Sequence, residues 1–331
     1  MFRRMSRRHR ESLVPSVEAN GFLLVAVAAA MWGSDALFRR GLALELPASV
    51  VVFVEHAILV VATVPLLVPA RRAVRSFSRW DWLAIVFVGV GASATATILF
   101  TQAFTYGDPT TPLLLQKLQP LFAVAGAATL LGERLLPRYL LYFVGGLAGA
   151  YLITFPDPLR VSVAALVPAM LATGAAALWG LGTVLGRHLT SKVEFKQLTA
   201  LRFAVGLPAT AAIMWIQGDA AQLGVIDAPA ALSLLLLALI PGLLALLIYY
   251  RGLRRTPAAA ATLAELAFPL SAVVINYVAF GTTLGGTQWV GIALLAGTIA
   301  VMGVAGSQGA AALGVDLRGR VPRPLHGSVH P

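Results

Sequence analysis

The residues most able to do chemistry lie where a chain this apolar should least hold them. Gln116-Lys117-Leu118-Gln119-Pro120 sits inside an apolar run from Thr110 to Leu131, long enough to cross a bilayer, which takes about 20 residues. A charged side chain at the centre of such a run costs about 2.5–3.5 kcal/mol on insertion scales. Lys117 therefore needs a partner, a water-filled cavity or a ligand. A second such place is Glu265-Leu-Ala-Phe-Pro269. In both, a polar residue precedes a proline by four positions, Gln116 with Pro120 and Glu265 with Pro269. A proline removes one helical hydrogen bond and frees a carbonyl one turn back. At about 100° per residue, Glu265, Pro269, Ala272 and Asn276 share one helix face, as do Gln116, Gln119, Pro120 and Ala123, with Lys117 at its margin. Polar side chains and freed carbonyls on inward faces make a binding wall, or a kink that only packs.

Lys117 and Glu265 can pair with each other as a buried ion pair. They can instead serve a ligand, Lys117 attracting a carboxylate or phosphate and Glu265 an amine or a proton, which suits a zwitterion such as an amino acid. Glu55-His56 is a candidate proton relay, because imidazole titrates near neutral pH, and equally a packing pair. Trp32 and Trp179 read as interfacial belt residues or as cavity walls. Arg202 is expected to snorkel to an interface, and Tyr249 and Tyr250 to sit at a helix end. Gly145, Gly146, Gly149, Gly291 and Gly297 suit close helix packing. Pro241-Gly242 and Gly89 to Thr95 are hinge candidates. No phosphate-binding glycine loop, His-Glu-x-x-His or metal-spaced carboxylate cluster occurs. Catalysis, a metal and a cofactor are therefore not expected.

The elements that must position these residues follow from composition. Of 331 residues, 58% are hydrophobic and 12% charged, against about 25% charged in soluble domains, and mean hydropathy is +0.82. This is the profile of an all-α integral membrane protein. The net charge of +11 is spread over short gaps rather than one soluble face, which argues against nucleic acid as a partner. Cysteine is absent, excluding disulfides and thiolate metal sites. The Arg-rich start before an apolar stretch has the look of a signal peptide, but the stretch recurs near Trp179 and is read as uncleaved.

Apolar segments fall at about 21–38, 48–69, 82–104, 110–131 and 139–155, then at 163–186, 198–217, 230–250, 257–279 and 287–306. Twenty of the 25 Lys and Arg lie in one alternate set of gaps, and only Arg39, Arg40 and Arg160 in the other. By the positive-inside rule, ten transmembrane helices with both termini cytoplasmic account for this asymmetry. Met31-Trp-Gly-Ser matches Leu178-Trp-Gly-Leu, Pro120 matches Pro269, and Gly132 matches Gly281. Five helices per repeat place the halves in opposite orientations. That is an inverted-topology repeat with a site between halves around a central cavity. The expected organisation is a basic tail at 1–20, one five-helix repeat at 21–155, a second at 163–306, and a disordered cytoplasmic tail at 307–331.

The repeated Trp-Gly, Pro120 followed by Leu130-Leu-Gly-Glu133-Arg134, and the glycine-rich fifth and tenth segments resemble the drug/metabolite transporter superfamily. Within it, the EamA-type ten-helix carriers are the nearest match, over residues 20–306. The resemblance implies a basket of ten helices in the cell membrane and a bias toward export. Thr282 stands where the repeat would put a second Glu, so Glu133 reads as a structural helix-end residue. The chain is thus expected to be a secondary transporter, in contact with lipid, moving a small polar metabolite by alternating access. An amino acid is favoured, with protons as a candidate coupling ion and oligomeric state open. The substrate-binding residues would be Trp32, Gln116, Lys117, Gln119, Pro120, Trp179, Glu265, Pro269 and Asn276, with Glu55 and His56 as proton-relay candidates. An organic-anion or drug carrier, or a non-transporting scaffold or receptor, is the alternative.

Overall fold

A computed structural model of the chain describes residues 20–106, 115–155, 157–160, 166–280 and 283–317. The N-terminal tail before residue 20, Gly281, Thr282 and the last residues from 318 lie outside the described residues. Helix dominates. The first segment is α1 (Gly21–Trp32), capped by the Asn20 side chain accepting from the Phe22 N–H at 3.1 Å, then α2 (Asp35–Glu45). Gly33 and Ser34 join them through i→i+3 bonds, Gly33 N–H to Ala30 and Ser34 N–H to Met31, each 3.1 Å. α3 (Ala48–Val74) follows.

The third segment is α4 (Arg79–Val86), a π-helical stretch Phe87–Thr95, and α5 (Ala96–Ala103). α6 (Gln119–Leu130) and α7 (Pro137–Thr154) complete the first half. The second half holds α8 (Leu166–Leu189) and α9 (Phe195–Ile216). Next comes α10 (Ala228–Leu237), joined by a second π stretch, Ala238–Leu244, to α11 (Ala245–Leu253). α12 (Ala258–Ala264), α13 (Ala267–Phe280) and α14 (Gly286–Gln308) finish the helices. Both hinge candidates named above coincide with the π stretches, where an inserted residue loosens the i→i+4 ladder.

Eight helices among the described residues are long and apolar enough to cross a membrane. α6 is shorter, with 12 residues. α7 falls outside the eight because Pro137, Arg138, three tyrosines and three glycines dilute its apolar content. Outward positions such as Val61, Leu141, Val278 and Ile216 are exposed apolar side chains, the surface a lipid-facing helix presents. Inside, one apolar core runs from Phe22 through Val184 and Tyr250 to Val315. α7 and α14 cross where a Cβ on Gly149 would meet Leu295 N at 2.8 Å, and one on Gly291 would meet Ile153 N at 2.8 Å. Gly297, expected to pack likewise, faces open space.

The prolines depart from expectation. Pro120 does not kink a continuous helix; it stands in the first turn of α6, preceded by a turn at Lys117-Leu118. Pro269 likewise occupies the first turn of α13, just past the break at Glu265-Leu266. First-turn N–H groups have no intrahelical partner, so proline costs least there. The C-terminal segment is a second correction, because it is not loose from residue 307. Strand β1 (Arg134–Leu135) pairs antiparallel with β2 (Val315–Asp316). Leu313 and Val315 are buried against Tyr139 and its neighbours. Gly314, at φ +83°, takes a left-handed turn that other residues resist and lies flat on the Tyr139 backbone.

Candidate transport site

The broken fourth and ninth segments bring their polar residues together. α6 crosses α8 closely at Gly180, where a Cβ would meet Gln119 O at 2.7 Å and Ala123 N at 2.9 Å. That approach delivers the Gln119 side chain, whose Nε2 donates to Glu265 Oε2. The other carboxylate oxygen, Oε1, accepts from Thr183 Oγ1 at 2.9 Å and from the Tyr249 hydroxyl at 2.8 Å. Thr183 and Tyr249 are 2.9 Å apart. Glu265 is thus buried and held by neutral donors from three helices, as a buried carboxylate must be.

Around this carboxylate stand aromatic rings. Trp32, at the end of α1, lies 5.2 Å from the Tyr249 ring at 47°. Lys117 Nζ sits 5.6 Å from the Phe268 ring centroid, within cation–π range. The alternative in which Lys117 and Glu265 pair with each other is not realised, since among the described residues Lys117 enters no salt bridge. The physical reason is local: the helix breaks turn Lys117 toward Phe268, while Gln119, Thr183 and Tyr249 fill the carboxylate's acceptor sites. Gln116 Oε1 is buried without a hydrogen-bond partner among the described residues. Pro120 and Pro269 are buried at the two helix starts. Trp179 is half-buried and meets Phe100 edge-on at 5.1 Å. Asn276 lies on α13, with its side chain outside the described ones.

Glu55 and His56 are not joined as a relay pair. Adjacent helical residues point about 100° apart. Glu55 Oε2 accepts from Arg39 Nη2 at 3.1 Å, whereas His56 shares hydrogen bonds with Ser93 Oγ at 3.0 Å and the Val52 carbonyl at 2.9 Å. Arg202 does not snorkel outward. Its Nη1 donates to the Tyr250 hydroxyl at 3.1 Å and its Nη2 to the Ala92 carbonyl of the π stretch at 3.2 Å, leaving Nε buried without a partner among the described residues. Tyr249 and Tyr250 are buried rather than interfacial.

Glu133 has the structural part read from the sequence. Its carboxylate oxygens accept from the Ala258 and Ala259 N–H groups at 2.8 and 3.0 Å, capping α12 from the end of the fourth segment. Burial pushes its carboxyl above the ordinary carboxylate range, against those two backbone bonds. Thr183, Tyr249 and Phe268 escaped the sequence reading. Thr183 had a signal, four residues after Trp179 and so on the same helix face. Tyr249 had none, because a tyrosine near a helix end looks interfacial. Among the described residues no group of three or more His, Asp or Glu is placed to hold a metal. Among the described residues the arrangement offers aromatic surfaces, a fixed acceptor, amide groups and a lysine in no ion pair, groups that can hold a small polar molecule.

A family model described as the EamA-like transporter family matches the chain twice, at residues 19–155 and 166–304. A protein of Fusobacterium nucleatum named as a riboflavin transporter is 32% identical over 81% of this chain and 92% of its own length. A riboflavin transporter of Brucella anthropi is 26% identical over 76% of this chain and 86% of its own. One solved crystal structure shares the fold, with a TM-score of 0.69 over 87% of this chain and 98% of the other, at 20% identity.

Proposed function

Since this chain belongs to the EamA-like transporter family, we propose that it is a secondary carrier for riboflavin or a close flavin, working by alternating access. The chain is a multi-pass membrane transporter and not an enzyme. The observation that carries the substrate is the 32% identity to a riboflavin transporter along nearly that protein's whole length. The site's chemistry agrees with it. A flavin presents a flat tricyclic ring, which aromatic walls such as Trp32, Trp179 and Phe268 accept by offset stacking. Its ring edge and hydroxylated side chain need fixed hydrogen-bonding groups, which Glu265, Gln116 and Gln119 supply. The amino-acid preference rested on Lys117 and Glu265 serving the two ends of a zwitterion, and the relatives named as riboflavin transporters do not support it.

The carrier has two five-helix repeats of inverted topology, ten helices in all, with both termini in the cytoplasm. Its boundaries are the basic tail 1–20, the repeats 21–155 and 163–306, and a C-terminal stretch from 307 that β2 ties back to β1. Support comes from the double match of the family model, a π stretch in the third segment of each half, and a helix break beside each key proline. Alternation of Lys and Arg supplies the orientation. An organic-anion carrier is the second reading, favoured by Lys117, which no carboxylate neutralises among the described residues.

Counterflow in proteoliposomes tests both. Vesicles preloaded with riboflavin should accumulate labelled riboflavin saturably, and far more than vesicles preloaded with amino acids. Exchange of organic acids or amino acids without riboflavin would overturn the flavin reading. Net efflux from loaded cells, compared with a deletion strain, decides export against uptake.

A further inference from the structure

A charge cluster stands apart from the Glu265 site, at the other end of the first segment. Arg39 on α2 holds Asp35 with two bonds, Nε to Oδ2 at 2.6 Å and Nη2 to Oδ1 at 2.8 Å, and reaches across to Glu55 on α3 at 3.1 Å. One guanidinium therefore serves two carboxylates, so the trio, with all three ionised, carries a net charge of minus one. Glu55 is the more deeply placed acid, its side chain 11% exposed against 29% for Asp35. Arg39 Nη1 is buried and has no hydrogen-bond partner among the described residues. Among the described residues, few charged groups come from the other elements packed on α3. Arg202 on α9 acts on Glu55 electrostatically, Asp219 is bonded to Ser49 at the start of α3, and neighbouring His56 faces Ser93.

The element that Arg39 ties down packs apart from the main core. Leu42 and Leu46 of α2 join Val51 of α3 and Leu234 and Leu237 of α10 in a small apolar cluster distinct from the main core. α2 is joined to α1 through the tightened turn at Gly33-Ser34, the kind of mid-helix 3₁₀ stretch that marks hinges. Gly33 lies hard against α13, a Cβ there meeting Ala272 N at 2.8 Å. Trp32, the residue before the hinge, is the ring on Tyr249. One short stretch thus touches the Glu265 site at one end and the Glu55 pair at the other.

We infer that Asp35, Arg39 and Glu55 form a proton-operated latch on the first segment. A proton taken up by the Glu55 carboxylate gives a neutral acid. The charge-assisted bond from Arg39 is lost, and Arg39 stays with Asp35, two opposite charges that need no third. α2, no longer tied to α3 by Arg39, then pivots about the Gly33-Ser34 turn on its Leu42–Leu46 packing, next to Trp32 and its contact with Tyr249. Coupling of substrate movement to a proton follows, and this part rests on the carrier reading above. Glu55 is here a coupling site, without His56 as its relay partner.

The absence of cysteine allows a direct test. Spin labels on Gly41→Cys and Gly224→Cys, both in open space, report the distance between α2 and the segment after α9 in reconstituted full-length protein. Acidification from pH 8 to 5.5 should populate a second, longer distance. Glu55→Gln should show that longer distance at both pH values, and Arg39→Lys, which cannot bridge both acids, should show it already at pH 8. Identical distributions at the two pH values, or a pH response that survives Glu55→Gln and vanishes in His56→Gln, would overturn the latch. In proteoliposomes a proton gradient should change riboflavin flux several-fold, and Glu55→Gln should keep counterflow while losing that response. Absence of riboflavin counterflow in the unmodified protein would sink the flavin reading alone, since the distance measurement still decides the latch.

Discussion

Tyr249 donates to Glu265 at 2.8 Å while its ring lies 5.2 Å from Trp32. One residue thus holds both the acceptor and an aromatic wall. Removing its hydroxyl separates the two contributions. Tyr249→Phe keeps the ring and deletes one hydrogen bond to a charged group, worth about 1.5–3 kcal/mol. Riboflavin counterflow should fall about tenfold or more at low substrate. Glu265→Gln should cost at least as much, because an amide cannot accept from Gln119, Thr183 and Tyr249 together. The double variant should lose less than the product of the single losses, the mark of residues that act in one network. Independent, multiplicative losses measured by initial exchange rates would show that Tyr249 serves only packing.

Lys117 is a cation resting on Phe268 and engaged in no ion pair among the described residues. Lys117→Met keeps the length of the apolar stem and removes the charge. The variant should fold, since it deletes a charge that is costly in a membrane. Competition assays give the readout. Inhibition of riboflavin exchange by a phosphorylated flavin should weaken several-fold in Lys117→Met, with a smaller change in the Km for neutral riboflavin. Equal effects on both compounds would mean that Lys117 contributes shape rather than charge.

Glu133 gives a prediction about pH and stability. Burial raises its folded-state pKa above the unfolded value, so the folded protein holds more protons than the unfolded chain between the two. Stability from this group then falls as pH rises through that window. Glu133→Gln removes the titration but can accept only through one oxygen, leaving a backbone N–H at Ala258 or Ala259 less well served. The variant should unfold at lower temperature than the parent, by a margin larger at pH 5 than at pH 8. A margin that is constant across pH, in detergent melting curves, would remove Glu133 as the cause.

Much of this was legible in the residues because lipid punishes exceptions. Lys117 and Glu265 stood out since a charge in an apolar run requires a reason, and the paired prolines marked the two broken segments. What the sequence could not carry was the rotation at each break. A continuous helix puts Lys117 at the margin of the Gln116 face and lets it reach Glu265. Restarting the helix at Gln119 sends it to Phe268 instead. Arg202 shows the same limit. Proximity to a helix start suggests snorkelling, but the guanidinium turns inward to the Ala92 carbonyl of the π stretch and the Tyr250 hydroxyl. Tyr249 was hidden for a different reason, since burial of a helix end depends on neighbours that no local pattern names.

Gly33 offers a check on the hinge that needs no substrate. Its missing side chain is required by contact, not by backbone angle, because φ is −60° and any residue can adopt it. An added Cβ would lie 2.1 Å from Ser271 Oγ and 2.8 Å from Ala272 N. The hydroxyl can rotate away; the backbone nitrogen cannot, so α1 and α13 must separate. Overpacking of this kind costs about 1–3 kcal/mol. Gly33→Ala should therefore lower the melting temperature measurably, whereas Gly41→Ala, with nothing within 4 Å, should not lower it. Replacing an exposed helical glycine with alanine even gains about 1 kcal/mol. If Gly33→Ala melts like the parent, α1 and α13 are not in close contact there, and the pivot that links Trp32 to the Arg39–Glu55 pair has no fixed point to turn about.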